Sequence, residues 1–156
     1  MKKIPAEITR FFLEQGCVIV STIDKDGSPH NSCKGIIEIE NNGLIYLVDL
    51  YKTMTYDNLK RNQKISITAI DEHKFKGYCL KGEARIIEEE NFDSAVIKAW
   101  EYKVSSRITQ RLIRNIHDEK NPSPHSEALL PKPQYLIVIK VNKIIDLTPH
   151  HLRGNV

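Results

Sequence analysis

Cysteine is scarce in this chain of 156 residues, and the arrangement of the few cysteines excludes two kinds of site. There are three, Cys17, Cys33 and Cys79, and because no C-x-x-C pair occurs, neither a zinc site nor a redox dithiol is indicated. Each lies in an apolar or alternating run, which predicts that all three are buried, reduced thiols. The cysteine pattern therefore favours a reducing compartment, the cytoplasm.

Long apolar runs and concentrated charge are also missing. No run approaches the roughly 18 apolar residues that a membrane-spanning helix needs, and the N-terminal residues lack the apolar core of a signal peptide. The formal net charge of +3 is too small for the basic stripe of a nucleic-acid-binding surface. We therefore expect neither a membrane nor a nucleic acid as a partner.

Familiar catalytic motifs are absent as well. The sequence contains no G-x-S-x-G nucleophile elbow, no G-x-G-x-x-G and no P-loop, so hydrolase and nucleotide-binding folds of those kinds are not indicated. The six histidines lack the H-x-x-x-H and H-E-x-x-H spacings of zinc ligands. No metal site and no catalytic residue is predicted.

The hydrophobic pattern predicts a mainly β protein. A length of 156 residues fits one domain, which we expect to span residues 1–156 with a helical insert at 90–117. Turn signals at Asp24–Gly27 and Asn41–Gly43 separate the first strands, and in the second strand alternation places Gly35, Ile37 and Ile39 on one face. Successive hairpins favour a closed antiparallel sheet. Six strands are predicted near residues 17–23, 28–40, 44–50, 65–70, 78–87 and 135–147, with helices near 5–15, 53–61 and 90–117.

The junction after the third strand has the character of a phosphate site. An apolar strand ends at Leu50, and Lys52, Thr53 and Thr55 follow where a short helix is expected to begin. Amide N–H groups and the positive end of a helix dipole attract phosphate, and the side chains add a charge and two hydroxyl donors. The alternative is that a threonine only caps the helix and that Lys52 is only solvated. Asn62 is predicted to end the helix in a left-handed conformation.

Three signatures in sequence order resemble those of the flavin-binding split-barrel proteins related to pyridoxamine 5'-phosphate oxidase. They are a strand followed by D-x-D-G-x-P at residues 20–30, K-T followed by N-L-K-R-N at 52–62, and G-Y-C-L-K-G-E-A at 77–84. The order of elements follows the family over residues 5–87, and the final strand also fits. Three such signatures in the correct order are far more specific than any one of them.

The resemblance implies a six-stranded antiparallel split β-barrel with Greek-key order, usually a homodimer that holds FMN in two clefts between its subunits. It also implies that the flavin phosphate is held by side chains of the third strand and the following helix, while the second strand runs along the ring and ribityl chain. The implied cofactor residues are His30, Asn31, Ser32, Cys33, Lys34, Asp49, Leu50, Tyr51, Lys52, Thr53, Thr55 and Asn58.

The same resemblance implies an FMN-dependent oxidoreductase acting on a small redox substrate. Alternatives are a non-catalytic flavin carrier or stress-related binding module, and the same fold binding deazaflavin or haem. Oxidation of vitamin B6 is not expected, because residues 149–156 lack the tryptophan of the segment that holds the substrate phosphate. The helical insert is expected to cap the barrel; if it covered the flavin instead, Trp100 and Tyr102 would be the side chains near the ring.

Overall fold

The structure is a computed structural model that describes residues 2–118 and 131–153, together with their side chains except those of 107–118. Within these described residues, three α-helices and six β-strands follow one another. They are α1 (Ala6–Glu14), β1 (Val18–Ile23), β2 (Pro29–Ile39), β3 (Leu44–Asp49), α2 (Met54–Arg61), β4 (Lys64–Asp71), β5 (Lys76–Glu88), α3 (Ser94–Asp118) and β6 (Tyr135–Asp146).

The six strands form a closed antiparallel barrel in the order β1-β2-β3-β6-β5-β4. Because β4 returns to lie beside β1, the first four strands have the Greek-key arrangement. The contact between β1 and β4 is short, and its register covers only Ile19↔Thr68, Val20↔Ile67 and Ser21↔Ser66. The predicted fold, a mainly β barrel of six antiparallel strands with flanking helices, is confirmed.

Local turn chemistry explains the first two hairpins. Gly27 (φ 86°) and Gly43 (φ 97°) adopt the left-handed backbone conformation that a glycine enters without steric cost. The predicted faces of β2 are partly wrong, because the register with β3 shifts between Ile36 and Glu38. This bulge reverses the alternation, so that Ile39 packs into the barrel interior while Ile37 packs on its outer side.

The hydrophobic core fills the barrel and continues beneath α1. Phe12 and Ile8 of α1 join the interior side chains, and Phe12 is completely buried. A buried side chain of this kind contributes about 1.5–3 kcal/mol. The interior strand residues with no exposed surface are Val20, Ile45, Leu47, Ile67, Leu80, Tyr135, Ile137, Ile139 and Val141.

Two predictions about individual residues are wrong. Cys17 and Cys33 are exposed and only Cys79 is buried, because Cys17 precedes β1 and Cys33 lies on the outward face of β2 opposite exposed Ile19. Asn62 is extended (φ −144°, ψ 113°) rather than left-handed, since the chain passes directly from α2 into β4. Its side-chain oxygen accepts the Lys64 N–H instead, at 3.0 Å.

The predicted insert forms one continuous helix, α3, which follows a short 3-10 turn at Glu89–Asn91. Its Val96, Ala99 and Trp100 pack on the outer side of the barrel against Ile37, Val48 and Leu136. The side chains at the end of the predicted insert, residues 107–117, lie outside the described residues. Among the helices that are described, none is both long and apolar enough to cross a membrane.

Candidate functional site

A polar layer closes one end of the barrel. Lys34 Nζ lies 2.6 Å from Asp49 Oδ2, and the two side chains are only 9% and 7% exposed. The hydroxyl of Tyr135, the residue directly opposite Asp49 on β6, donates to the same oxygen at 2.5 Å. Burial, followed by the hydrogen bond to Asp49, raises the pKa of the Tyr135 phenol far above its usual range, so it stays a donor. Asp49 therefore satisfies two buried groups at once.

The layer continues through Glu88, which is opposite Tyr135 on β5. Its Oε1 accepts the Tyr56 hydroxyl at 2.7 Å, while Lys52 Nζ lies 2.7 Å from Oε2 and Lys60 Nζ lies 3.5 Å from Oε1. The hydrogen bonds from Lys52 and Tyr56 lower the pKa of Glu88 to about 2, and the Glu88 carboxylate in turn raises the pKa of Lys52. These contacts fasten α2 across the barrel end.

A cavity of about 260 Å³, the first cleft, lies between β2, β3 and α3. It brings together five of the twelve predicted cofactor residues. The other lining residues from the strands are Gly35, Ile36, Ile37 and Val48, and α3 contributes Trp100, Lys103 and Val104. The five predicted residues are Cys33, Lys34, Asp49, Leu50 and Tyr51.

The start of α2 has the features predicted for a phosphate site, although it lies beside the first cleft rather than lining it. Thr53 precedes the helix, and its hydroxyl makes no capping hydrogen bond. The Lys52 side chain is 41% exposed despite its ion pair with Glu88. Lys52 and Thr53 are thus neighbours at the exposed start of the helix, where the helix dipole is positive.

The remaining predicted residues do not line the first cleft. The hydroxyls of Ser32 and Thr55 lie 3.0 Å apart, which ties β2 to α2. Asn58 is buried, and its Nδ2 donates to Thr22 Oγ1 at 3.0 Å and Asp24 Oδ1 at 2.6 Å. These contacts give Asn58 a structural role in joining α2 to the end of β1. His30 and Asn31 also lie outside the cleft lining.

Sequence reasoning missed Lys103 and Val104 as site residues. The Lys103 ammonium donates to the carbonyl of Ile36 and so joins α3 to β2 beside the cleft. The two aromatic residues named for the insert differ in position: Trp100 lines the cleft, whereas Tyr102 is 75% exposed. The signal was present in the spacing, since Trp100, Lys103 and Val104 recur at i, i+3 and i+4 on one helical face.

The barrel and this site together place the protein in the class of split-barrel proteins. The family model described as pyridoxamine 5'-phosphate oxidase matches residues 4–130, so the chain belongs to that family. Among curated proteins, none matches the sequence significantly.

Solved structures share the fold at low sequence identity. HupZ of Group A Streptococcus is 18% identical, with 93% of this chain and 95% of that chain covered and a TM-score of 0.66. A Lactobacillus delbrueckii protein assigned to pyridoxamine 5'-phosphate oxidase is 17% identical over 92% and 93%, with a TM-score of 0.63. An F420 reductase is 14% identical over 91% and 98%, with a TM-score of 0.55. These similarities establish the barrel fold. They do not identify a ligand, which must be inferred from the residues of the site.

Proposed function

We propose that the protein is an FMN-dependent oxidoreductase that binds the flavin ring at the first cleft and its phosphate at the start of α2. The observation that carries this proposal is the adjacency of the two features. An aromatic and cationic cleft, with Trp100, Tyr51 and Lys34, lies beside a helix start that carries Lys52 and Thr53. A planar ring with a phosphate tail matches both.

The residues fit a flavin in their chemistry. Trp100 and Tyr51 offer aromatic surface for a planar ring, and apolar Ile36 and Val48 exclude water from it. Lys34 presents a buried ammonium that favours electron density at the pyrimidine edge. When bound, the flavin supplies the redox chemistry, whereas the protein binds, orients and tunes it.

A second copy of the chain completes the site in this proposal. The first cleft holds about 260 Å³, below the roughly 300–1,000 Å³ of pockets that enclose a ligand of this size. A homodimer with flavin at the subunit interface would supply the missing wall. The exposed thiols of Cys17 and Cys33 fit a protein of the reducing cytoplasm.

The second candidate ligand is a deazaflavin. The similarity to a protein described as an F420 reductase favours it, because F420 is a deazaflavin, whose ring has nearly the same shape as that of a flavin. A carrier without catalysis would use the same site. The substrate class proposed for the enzyme is a small redox-active molecule that reaches the exposed mouth of the cleft.

Mass spectrometry of the small molecules released from the purified protein, combined with FMN, riboflavin and F420 titrations, tests the proposal. We expect FMN to be recovered and to bind more tightly than riboflavin, which lacks the phosphate. Flavin that is bleached by a nicotinamide donor and reoxidised by an added acceptor supports the enzyme, and inert flavin supports the carrier. If the protein binds none of the three compounds, the proposal is contradicted.

A further inference from the structure

A second cavity lies away from the first cleft, at the short contact between β1 and β4. After the pair Ser21↔Ser66 the two strands separate, and Ile23 and Lys64 lie on opposite sides of the gap. The cavity has a volume of about 370 Å³, larger than that of the first cleft. We call it the second cleft; its lining residues are Ser21, Thr22, Ile23, Pro29, Lys64, Ile65, Ser66, Lys81, Gly82, Glu83 and Asn142.

The lining of the second cleft is rich in hydrogen-bond donors. Lys64 and Lys81 supply ammonium groups, Ser66 a hydroxyl and Asn142 an amide. Both lysine side chains are exposed, and within the described part of the chain neither forms an ion pair with a carboxylate. Glu83 is the one acidic residue of the lining, so the cleft carries an excess of positive charge.

Strand register concentrates further positive charge beside this cleft. Lys81 lies directly opposite Lys143, and Glu83 lies directly opposite both Lys64 and Lys140. Like charges in directly opposed positions destabilise a sheet. The pair of Lys81 and Lys143 therefore opposes folding, and a bound anion would offset the repulsion.

An irregularity in the pairing of β5 with β6 shapes the same cleft. The register with β6 shifts between Lys81 and Gly82, which leaves Asn142 as the extra residue, and its side chain lines the cleft. At Gly82 a Cβ would lie 2.2 Å from the Lys140 carbonyl oxygen, so only glycine permits this close strand approach. The bulge thus places a polar side chain in the same cleft as the ammonium groups of Lys64 and Lys81.

We propose that the second cleft binds the phosphate group of a small molecule, independently of the flavin site. Two lysine ammonium groups, a hydroxyl and an amide match the charge and the acceptor oxygens of a phosphate. The small number of lysines favours a small molecule over a nucleic acid, which would need a longer basic stripe. The two clefts share no lining residue, so they are expected to fill separately.

Calorimetric titration with pyrophosphate tests the proposal on the full chain saturated with FMN. We expect binding to the native protein and a loss of affinity of about tenfold or more in Lys81→Gln and in Lys64→Gln. Lys98→Gln, which removes an equal charge from the exposed side of α3, is expected to bind pyrophosphate normally. Both cleft variants are expected to keep the native affinity for FMN.

Three results would overturn the second phosphate site: no pyrophosphate binding, equal affinity in all four proteins, or competition between pyrophosphate and FMN. If the native protein takes up no FMN, the titration is run on the protein alone. Loss of affinity in the two cleft variants then still supports this site, while the proposed flavin function fails separately.

Discussion

At the scale of single residues, Asp49 accepts hydrogen bonds from several groups at the cleft. Its Oδ2 accepts from both Lys34 and Tyr135, and its Oδ1 accepts the Leu50 N–H at 2.9 Å. A buried ammonium without an acceptor is expensive, whereas one that is paired and hydrogen-bonded is tolerated. Asp49 therefore makes it possible for Lys34 to lie at the cleft as a buried cation.

Replacing Asp49 by alanine is expected to lower the free energy of unfolding by about 3–5 kcal/mol, because Lys34 and Tyr135 lose their shared acceptor. Urea denaturation measures the change. Glu101→Ala, which removes an exposed carboxylate from α3, serves as the control and is expected to change stability by less than about 0.5 kcal/mol. Equal stability of the two variants would contradict the role of Asp49 as the shared acceptor of Lys34 and Tyr135.

Glu88 predicts a defined pH dependence. Its pKa in the folded protein is about 2, against 4.5 for an unperturbed glutamate. Because the folded pKa is depressed, the stabilisation from Glu88 is fully present above about pH 4.5 and is lost as the pH falls towards 2. Urea midpoints of the native protein and Glu88→Gln should therefore differ at pH 6 to 7 and converge near pH 2. A difference independent of pH would contradict this assignment.

At the scale of elements, α2 and α3 have different tasks around one cleft. The predicted phosphate site lies at the start of α2, and Asn58 and Tyr56 of this helix hold it to the barrel. The α3 helix packs on the outer side of the sheet and lines the cleft as well, so the expected cap also forms a wall. Trp100 thus both packs on the sheet and forms part of the cleft wall.

Lys52→Ala is expected to weaken FMN binding by about tenfold through loss of a charge-assisted contact to the phosphate. Lys60→Ala is the matched control, because Lys60 also approaches Glu88 but lies at the other end of α2. Riboflavin affinity should be unchanged in both variants, since riboflavin has no phosphate. An unaltered FMN affinity in Lys52→Ala would make Lys52 only a partner of Glu88.

Local sequence signals predicted the helices and strands. The inward and outward faces of β2 and the lining of the first cleft could not be predicted in this way, because they depend on contacts between elements that are distant in the sequence. The strand-to-helix junction at Lys52 and Thr53 was predictable because all its determinants are adjacent in sequence. The reversal between Ile37 and Ile39 was not, because a bulge depends on the register with β3. Contact of Lys103 with Ile36 joins residues far apart in the chain, and no local pattern specifies such a contact.

At the scale of the whole molecule, the cleft and the proposed dimer are linked. We expect sedimentation to detect a homodimer at micromolar concentration, because a second subunit must complete the small first cleft. Flavin binding should then stabilise the dimer, since in the proposed site the flavin contacts both subunits. A monomer that retains tight flavin binding would contradict the shared site, while leaving the barrel unaffected.

The most direct test of the central claim is an equilibrium titration of FMN against the native protein, Trp100→Leu and Tyr102→Leu. Trp100 lines the first cleft, whereas Tyr102 is 75% exposed two residues later on the same helix. Because stacking on an aromatic side chain contributes about 1–3 kcal/mol, we predict that Trp100→Leu binds FMN about tenfold more weakly. Tyr102→Leu should bind like the native protein. Equal FMN affinity in all three proteins would contradict the placement of the flavin in the first cleft.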